Sequence, residues 1–335
     1  MAHLRNYVQI EGCRVVSCTE PREATAAAVA AHYGIEKVYP DNLSMLAAEE
    51  LDGVVASQPF GRHAALLPEI YPRVKHVLTE KPLCIEPGAG ERLAGLASEN
   101  GCTHMVGYHK RSDPATEHAK AVIDELKADG RLGRLTYVRI LMPAGDWTAN
   151  GFTGVIDAGD RPPGGTLEEE VDSGDMDAAT REKYIAFVNY YIHQVNLLRH
   201  LLGEPYEVTY ADPNDVMLAV TTAGGASGCI EMTPYRTTTA WEEGVLVGFE
   251  KGYVKLDLPA PLAVHRAGRV EIYEDPGDGA QPVRTEPTMP WVHAMQRQAE
   301  NFVAVCRGDR PPPCDAAEAV LDLQVAREYI RQRHE

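Results

Sequence analysis

The sequence predicts an α/β protein with two regions: a doubly wound parallel sheet, then an α+β region built on a large, mostly antiparallel open sheet. Three observations support this prediction. Short β-branched-rich runs alternate with helical patterns over residues 1–112, which is typical of βαβ units. Strand-like runs then follow one another through residues 206–273, as in antiparallel sheets. At 335 residues the chain exceeds what one core usually serves, so we predict domains at 1–112 and 113–335.

Strands and helices alternate in the first region. The predicted strands cover residues 13–18, 38–39, 52–57, 74–81 and 103–108, and the predicted helices cover residues 1–10, 22–33, 42–47, 62–71 and 87–100. Gly34 and Gly101 follow helical runs and are expected to end them. We expect Asp41 or Asn42 to cap a helical turn, and Pro68 to interrupt the helix that contains it.

The second region begins with a long helix and a strand and then changes character. The predicted helices cover residues 118–129, 182–202, 291–306 and 316–331, and a strand at 135–142 precedes the six strands of 206–273. Residues 145–183 are acidic and rich in Gly and Pro, so we predict a long surface loop or insertion there. The last helices are able to pack back on the first domain.

Composition excludes several classes of protein. The chain is 44% apolar and 24% charged, which is ordinary for a globular protein. Its net charge of -17 argues against a nucleic-acid partner, which would need a basic face. No run approaches the ~18 apolar residues of a membrane span, and the first ten residues lack the apolar core of a signal peptide. Seven scattered cysteines without a Cys-x-x-Cys pair favour reduced thiols in a cytoplasm and no zinc site.

The predicted strand before Pro82 carries the first candidate catalytic group. Proline cannot donate to a ladder, so the strand ends there, and Glu80 and Lys81 fall at its carboxyl end. Open α/β sheets bind their ligands at that edge. A lysine there can give and take a proton if its surroundings lower its pKa, and Glu80 could hold its ammonium group. The alternative is an exposed Glu-Lys pair in an ordinary loop.

Glu20 is a candidate for binding a dinucleotide cofactor. A dinucleotide fold opens with a strand, a G-x-G-x-x-G turn and a helix, and an acid about 20 residues further on holds the ribose. Glu20 follows the second-strand pattern, but the expected glycine turn and first strand would precede Met1. We expect either that the sequence is a fragment or has a misassigned start, or that the phosphate cradle has been lost. Glu20 could also be an ordinary solvated turn residue.

Several sequence runs together resemble the glucose–fructose oxidoreductase / inositol dehydrogenase (Gfo/Idh/MocA) family. These runs are LTEKPLCIEP, GYHKRSDP, RLGRLTYVRI, IHQVNLLRHLLGEP and RPPPCDAAEAVLDLQVAREYI. The resemblance covers nearly the whole chain. It implies a Rossmann-like NAD(P)-binding domain, a C-terminal α+β domain, oxidation or reduction of a sugar-like substrate, and dimers or tetramers that pair through the open sheet. It also implies a cis peptide at Lys81–Pro82 or beside it.

The same resemblance assigns cofactor-binding residues. The predicted set is Glu20 at the adenosine ribose, Gln58, Pro59 and Glu80 on the nicotinamide side, and His63, Lys81 and Arg111 as further cofactor-binding residues. For His63, as for His3 and His76, a structural role is the alternative. An acid at position 20 favours NAD over NADP because it repels a 2′-phosphate. NAD is therefore the predicted cofactor, with NADP as the second choice.

His193 is the second candidate catalytic group. Asn189, His193 and Asn196 are spaced so that one continuous helix would present them on one face, and a histidine there can relay a proton near neutral pH. The family typically carries an aspartate four residues before this histidine, where the chain has Asn189. Asparagine can orient a hydroxyl but cannot take a proton, so the change means either altered chemistry or lost catalysis. The alternative for His193 is a buried structural histidine.

Further residues are predicted on the substrate side with weaker support. They are Tyr108, Asp113, Tyr190, Tyr235 and Arg236, with Trp291 and His293 as additional guesses. Arg111 and Asp113 could instead form a structural ion pair, and aromatic residues are more often part of a core. No cluster has the spacing of metal ligands.

These observations predict an oxidoreductase that transfers hydride between a nicotinamide and the hydroxyl or carbonyl carbon of a sugar, cyclitol or related polyol. Lys81 would be the acid/base, His193 would assist it, and Asn189 would orient the substrate. The predicted partners are a small-molecule substrate and other copies of the chain, as a homodimer or homotetramer. The alternatives are a catalytically silent binding or assembly subunit and an inactive fragment.

Overall fold

In a computed structural model the chain forms two compact units. The structure describes residues 1–148, 152, 154–162, 170 and 174–334. The first unit comprises Met1–Gly107, Phe152–Ser173 and Gln298–Val320, and the second comprises Tyr108–Gly151, Gly174–Arg297 and Leu321–Glu335. Each unit is described separately below.

The first unit contains short parallel strands and helices in alternation. In chain order these are α1 Ala2–Tyr7, β1 Ser17–Thr19, α2 Glu23–Tyr33, β2 Lys37–Tyr39, α3 Asn42–Ala48, β3 Val54–Ala56, α4 His63–Ile70, β4 His76–Glu80, α5 Pro87–Glu99 and β5 Thr103–Gly107. The helix boundaries have local causes. Asp41 accepts a hydrogen bond from the Ser44 amide at 2.8 Å and so caps α3, while Gly34 ends α2 in the left-handed conformation at φ 68°.

The predicted parallel strands form two separate sheets. β1 pairs with β2, and β4 lies between β3 and β5, all in parallel. In a doubly wound sheet of order 3-2-1-4-5-6, strands 2 and 3 lie on one side of strand 1, and strands 4, 5 and 6 lie on the other. The β1-β2 sheet corresponds to the side with strands 2 and 3, and the β3-β4-β5 sheet to the side with strands 4, 5 and 6. β1 and β3 are therefore edge strands and are only partly buried. β1 also begins at Ser17, later than predicted.

One predicted interruption in the first unit is wrong. α4 continues through Pro68 to Ile70, and a 3-10 turn, Tyr71–Arg73, follows it. Proline removes one intrahelical hydrogen bond, but α4 buries Leu67 and Ile70 almost completely. Burial of two such side chains contributes about 3–6 kcal/mol, which exceeds the cost of about 3 kcal/mol for a proline inside a helix.

The core of the first unit joins distant parts of the sequence. Leu78 of β4 and Met105 of β5 pack with Tyr7 of α1, and with Phe302 and Val305 from the later helix α9, Ala294–Arg307. Tyr7 and Phe302 meet edge to face, with ring centroids 6.4 Å apart. This packing places residues of α9 against the strand that leads to Lys81.

The second unit is built on an eight-stranded sheet. Its elements are α6 Pro114–Asp129, β6 Leu135–Leu141, α7 Ala178–Tyr190, α8 Ile192–Leu202, β7 Tyr206–Ala211, β8 Met217–Thr222, β9 Ser227–Glu231, β10 Gly244–Phe249, β11 Gly252–Asp257, β12 Arg269–Glu274 and β13 Val283–Thr285, with parts of α9 and of α10, Ala316–His334. The strand order is β13-β12-β11-β10-β6-β9-β8-β7. Every neighbouring pair is antiparallel except β6 with β9, which confirms the predicted mostly antiparallel sheet.

α8 packs on this sheet, and a glycine permits the close contact. A side chain added at Gly228 of β9 would place its Cβ 3.2 Å from Leu198 of α8 and 2.9 Å from Val220 of β8. The predicted single helix over 182–202 is wrong, because α7 begins at Ala178 and Tyr191 separates it from α8. Within the described ranges, no helix is long and apolar enough to cross a bilayer.

Candidate active site

Lys81 follows β4 directly, at the carboxyl end of the parallel strands. The Lys81–Pro82 peptide is cis, as the resemblance implied. Glu80 Oε1 lies 2.7 Å from Nε2 of His3 on α1, so the acid beside Lys81 has a histidine partner that sequence reasoning treated as structural. Gly107 lies opposite Glu80 in the ladder, and a Cβ there would come within 2.8 Å of the Thr79 carbonyl oxygen.

A buried series of hydrogen bonds connects Thr79 of β4 to His104 of β5 and Tyr71. Tyr71 Oη lies 2.9 Å from His104 Nδ1, and His104 Nε2 lies 2.9 Å from Thr79 Oγ1. Burial lowers the pKa of His104 to about 3, so its imidazole is neutral at physiological pH. This series of hydrogen bonds fixes the backbone two residues before Lys81. Sequence reasoning missed it because the three residues lie on separate elements.

Two buried polar atoms in the predicted cofactor-binding set have no hydrogen-bond partner within the described residues. They are His63 Nε2 and Gln58 Oε1. His63 is fully buried, its Nδ1 lies 2.9 Å from the Leu83 carbonyl oxygen, and burial lowers its pKa. Unsatisfied buried polar atoms are rare in native proteins. They fit a ligand that carries an amide, as nicotinamide does. Pro59 beside them is exposed.

Glu20 lies directly after β1, where a ribose-binding acid belongs. It holds Arg22 through two bonds, Nε to Oε1 and Nη2 to Oε2, both 2.9 Å. The hydrogen bond from Arg22 lowers the pKa of the Glu20 carboxyl, so Glu20 is a carboxylate at neutral pH. The first unit thus fits the ribose and nicotinamide ends of a dinucleotide. Residues 1–335 include no G-x-G-x-x-G turn after a strand, so the pyrophosphate contacts have no assigned residues.

His193 is buried at the start of α8 in the second unit. Its ring centroid lies 4.5 Å from that of His109 and 5.9 Å from that of Tyr108. Asn189 lies on α7 and is exposed, and the helix break at Tyr191 separates it from His193. The predicted continuous face of residues 189, 193 and 196 is therefore wrong.

Sequence reasoning missed a buried ion pair that is hydrogen-bonded to Gln194, the residue after His193. Lys110 Nζ is paired with Glu243 Oε2, and Glu243 Oε1 accepts a hydrogen bond from Gln194 at 2.8 Å. Lys110 also lies over the Trp241 ring, 5.5 Å from its centroid. Trp241 Nε1 and Gln194 Oε1 are buried and lack hydrogen-bond partners among the described residues. No local pattern connects positions 110, 194 and 243.

Arg111 and Asp113 are buried and hydrogen-bonded within the second unit. Arg111 Nε donates to Asn196 Oδ1 at 2.6 Å. Asp113 accepts from the Ala115 amide at 2.9 Å, which caps α6, and from the Gly268 amide at 3.0 Å. Burial raises the pKa of Asp113 to about 6. Their predicted contacts with cofactor or substrate stay predictions.

The other predicted substrate residues of the second unit vary in exposure. The Tyr190 hydroxyl accepts a hydrogen bond from the Gly145 amide at 3.0 Å and donates one to the Gly145 carbonyl oxygen at 2.9 Å. Tyr235 is 46% exposed, and its hydroxyl donates to Glu242 at 2.5 Å. Arg236 is exposed as well. Among the described side chains, no group of three His, Cys, Asp or Glu could hold a metal ion.

The fold defines a class: an α/β unit of the Rossmann type together with a unit built on a large open sheet. Residues 1–108 match the family model described as "Oxidoreductase family, NAD-binding Rossmann fold" (GFO_IDH_MocA). This match confirms, over residues 1–108, the resemblance to the Gfo/Idh/MocA family noted in the sequence.

Two relatives and one solved structure illustrate the match. The chain is 25% identical over 244 residues to scyllo-inositol 2-dehydrogenase (NAD(+)) of Bacillus subtilis, covering 68% of this chain and 62% of that protein. It is 25% identical over 305 residues to inositol 2-dehydrogenase of Rhizobium meliloti, covering 87% and 80%. A crystal structure of an Agrobacterium radiobacter oxidoreductase with NAD+, L-tartaric acid and magnesium shares the fold, with a TM-score of 0.70 at 13% identity over 100% of this chain and 93% of that one.

Proposed function

We propose that the protein is an NAD(P)-dependent dehydrogenase that acts on a CH–OH group of a sugar, cyclitol or related polyol. The observation that carries this proposal is Lys81, which directly follows β4 in the NAD-binding domain. The orphaned polar atoms of His63 and Gln58 support a bound nicotinamide. The names of the two inositol dehydrogenases support a polyol substrate.

In the proposed mechanism Lys81 is the acid/base. As a neutral amine it takes the proton of the substrate hydroxyl, and as an ammonium it returns that proton in the reverse direction. The nicotinamide, when bound, accepts or supplies the hydride. His193 is proposed to hold a substrate hydroxyl and exchange protons with it, and Asn189 to orient the substrate through its amide. Glu80 precedes Lys81 in the chain, and a hydrogen bond to His3 fixes the position of its carboxyl group.

We propose that the chain works in the cytoplasm as a homo-oligomer. Seven scattered free thiols support a reducing compartment. The family resemblance supports pairing through the open sheet of the second unit. Light scattering of the purified chain checks the proposed dimer or tetramer.

Replacement of Lys81 tests the proposed activity. We expect Lys81→Ala to lower kcat by about 10²–10⁴-fold, because the change removes the proposed acid/base and leaves His193 only in its assisting role. NAD+ binding, measured by calorimetry, is expected to persist. The assay screens sugars and cyclitols for NADH formation by the wild-type chain and then applies the best substrate to the variant.

Lys75→Ala is the matched control, since this lysine is exposed just before β4 and its loss should leave kcat unchanged. Full turnover by Lys81→Ala would contradict the proposed mechanism. A wild-type chain that binds neither NAD+ nor NADP+ would contradict the proposed function and favour a catalytically silent binding subunit. That alternative is suggested by Asn189, which stands where the family typically has an aspartate.

A further inference from the structure

Part of the acidic insertion is bound to the start of α2 in the first unit. Asp160 Oδ2 accepts a hydrogen bond from the Ala24 amide at 2.7 Å. Its Oδ1 accepts from the Thr25 amide at 3.1 Å and from the Thr25 hydroxyl at 2.6 Å. The Ala158 amide donates to the same hydroxyl at 3.1 Å. A carboxylate more than a hundred residues away in the chain therefore takes the N-terminal donors of α2.

These donors lie at the turn where a dinucleotide's adenosine ribose is expected. α2 begins three residues after Glu20, and in this fold the acid binds the ribose 2′-hydroxyl, whereas a nearby arginine accommodates the 2′-phosphate of NADP. Arg22 is the nearby arginine, and both of its bonds go to Glu20. The remaining donors that could hold a phosphate are the N-terminal amides of α2, and Asp160 occupies those of Ala24 and Thr25.

The burial of Thr25 shows that its hydrogen bonds with Asp160 are part of the folded structure and not a chance contact between surface groups. Thr25 is only 1% exposed, so its amide and hydroxyl depend on a partner supplied by the protein. Asp160 reaches it from a separate segment of the sequence. The hydrogen bond from Thr25 lowers the pKa of Asp160, so the group that fills this position is an anion at neutral pH.

We propose that Asp160 is a cofactor-specificity residue that excludes the 2′-phosphate of NADP. Its carboxylate fills the donors that a phosphate would use, and its charge adds to that of Glu20 at the same turn. Asp160 and Asp157 both act electrostatically on Arg22. A 2′-phosphate would find the Ala24 and Thr25 amides already bonded to Asp160, and the negative charges of Glu20 and Asp160 would repel it. A 2′-hydroxyl needs only Glu20 as its acceptor. This inference rests on the proposed dinucleotide-dependent function.

The test compares the binding of NAD+ and NADP+ by calorimetry to the wild-type chain and to Asp160→Asn and Asp160→Ala. We expect the Kd ratio to shift toward NADP+ by about five- to thirtyfold, which is the upper part of the range for an anion at a helix N-terminus, because the contact includes the buried Thr25. Asp157→Asn is the matched control: it removes the same charge from the same segment, but Asp157 accepts its hydrogen bond from the Gly159 amide, at 2.9 Å, and not from α2. Its ratio should change by about twofold or less.

A second readout does not depend on the dinucleotide. Inorganic phosphate is titrated into the same variants while the amide NMR signals of Ala24 and Thr25 are followed. We expect saturable shifts in Asp160→Ala and none in the wild-type chain or in Asp157→Asn. Thermal unfolding of each variant checks that the fold is intact.

The outcomes separate this inference from the proposed function. NAD+ binding with an unchanged ratio in both Asp160 variants would overturn the role of Asp160 and leave the dehydrogenase proposal standing. Binding of neither dinucleotide to any variant would overturn both. A ratio shift of equal size in Asp157→Asn would also overturn the inference, because it would reduce the effect to overall charge.

Discussion

At the scale of single residues, the groups around Lys81 are held in defined protonation states by burial. His104 is the clearest case, since both ring nitrogens have partners and its pKa falls from 6.5 to about 3. A base whose folded pKa is depressed stabilises the fold fully above its unfolded pKa. That stability is lost as the pH falls through the interval between the two values, because the unfolded chain then binds the proton first.

The pH dependence of stability tests the state of His104. We expect the free energy of unfolding of the wild-type chain to fall between pH 8 and pH 5, with about 2 kcal/mol of the loss due to this one histidine. His104→Gln keeps a donor and an acceptor for Tyr71 and Thr79 but does not titrate. Its loss over the same interval should be smaller by that amount.

Urea unfolding of both chains at each pH measures the difference. Parallel pH profiles for wild type and variant would show that His104 has the same pKa in the folded and unfolded states, and would contradict the lowered pKa. His63, whose pKa burial also lowers, contributes with the same sign in both chains and cancels from the comparison.

At the scale of elements, the spacing between β4 and β5 positions Lys81. Gly107 ends β5 beside Thr79 and Glu80, and no side chain fits between the two backbones. A methyl group there must push the β4 backbone away, one or two residues before the proposed acid/base. Overpacking of this kind costs about 1–3 kcal/mol.

A pair of glycine substitutions tests this close approach. We expect Gly107→Ala to lower the free energy of unfolding by about 1–3 kcal/mol and to lower kcat, since Lys81 moves with β4. Gly95→Ala is the control, because Gly95 is exposed in the middle of α5 and nothing lies near its added Cβ. It should raise stability by about 0.5–1 kcal/mol. Denaturant unfolding and steady-state kinetics provide the two measurements, and equal stability changes for both variants would refute the argument.

The junction of α7 and α8 is the second feature at this scale. The two helices have no proline or glycine between them, and Tyr191 at the break keeps a nearly helical conformation at φ -91°, ψ -3°. Its hydroxyl donates to the Met232 carbonyl oxygen at 2.7 Å, a bond that spans 41 positions. A local sequence pattern cannot predict this break, because the acceptor of the Tyr191 hydrogen bond, Met232, follows β9 and is distant in the sequence.

At the scale of the whole molecule, charge is the dominant property. The chain has 49 acidic and 32 basic residues, for a net charge of -17. Self-repulsion of this size destabilises a compact state, and salt screens it over a Debye length of about 10 Å at 0.1 M. Exposed ion pairs weaken with salt too, but each contributes little.

We therefore expect the melting temperature to rise by a few degrees as NaCl increases from low concentration to a physiological or higher one. Calorimetric or fluorescence melting at pH 8 measures it. The rise should shrink near pH 5, where protonation of carboxylates reduces the net charge. A melting temperature that falls with NaCl at pH 8 would mean that attractive ion pairs outweigh the repulsion.

The sequence by itself determined the features that have local causes. The alternation of strands and helices followed from apolar periodicity, the end of β4 just before Lys81 from Pro82, and the cap of α3 from Asp41. The family resemblance added the cis peptide and the dinucleotide domain. These predictions succeeded because each depends on residues within a few positions of one another.

Only the tertiary structure decided which distant groups meet. It paired His3 with Glu80, Lys110 with Glu243 and Asp160 with Thr25, and it divided the parallel strands into two sheets. Such contacts join residues 77 to 135 positions apart. No periodicity or spacing encodes them, because the partner of a buried charge or a helix end is set by which segments the fold brings together.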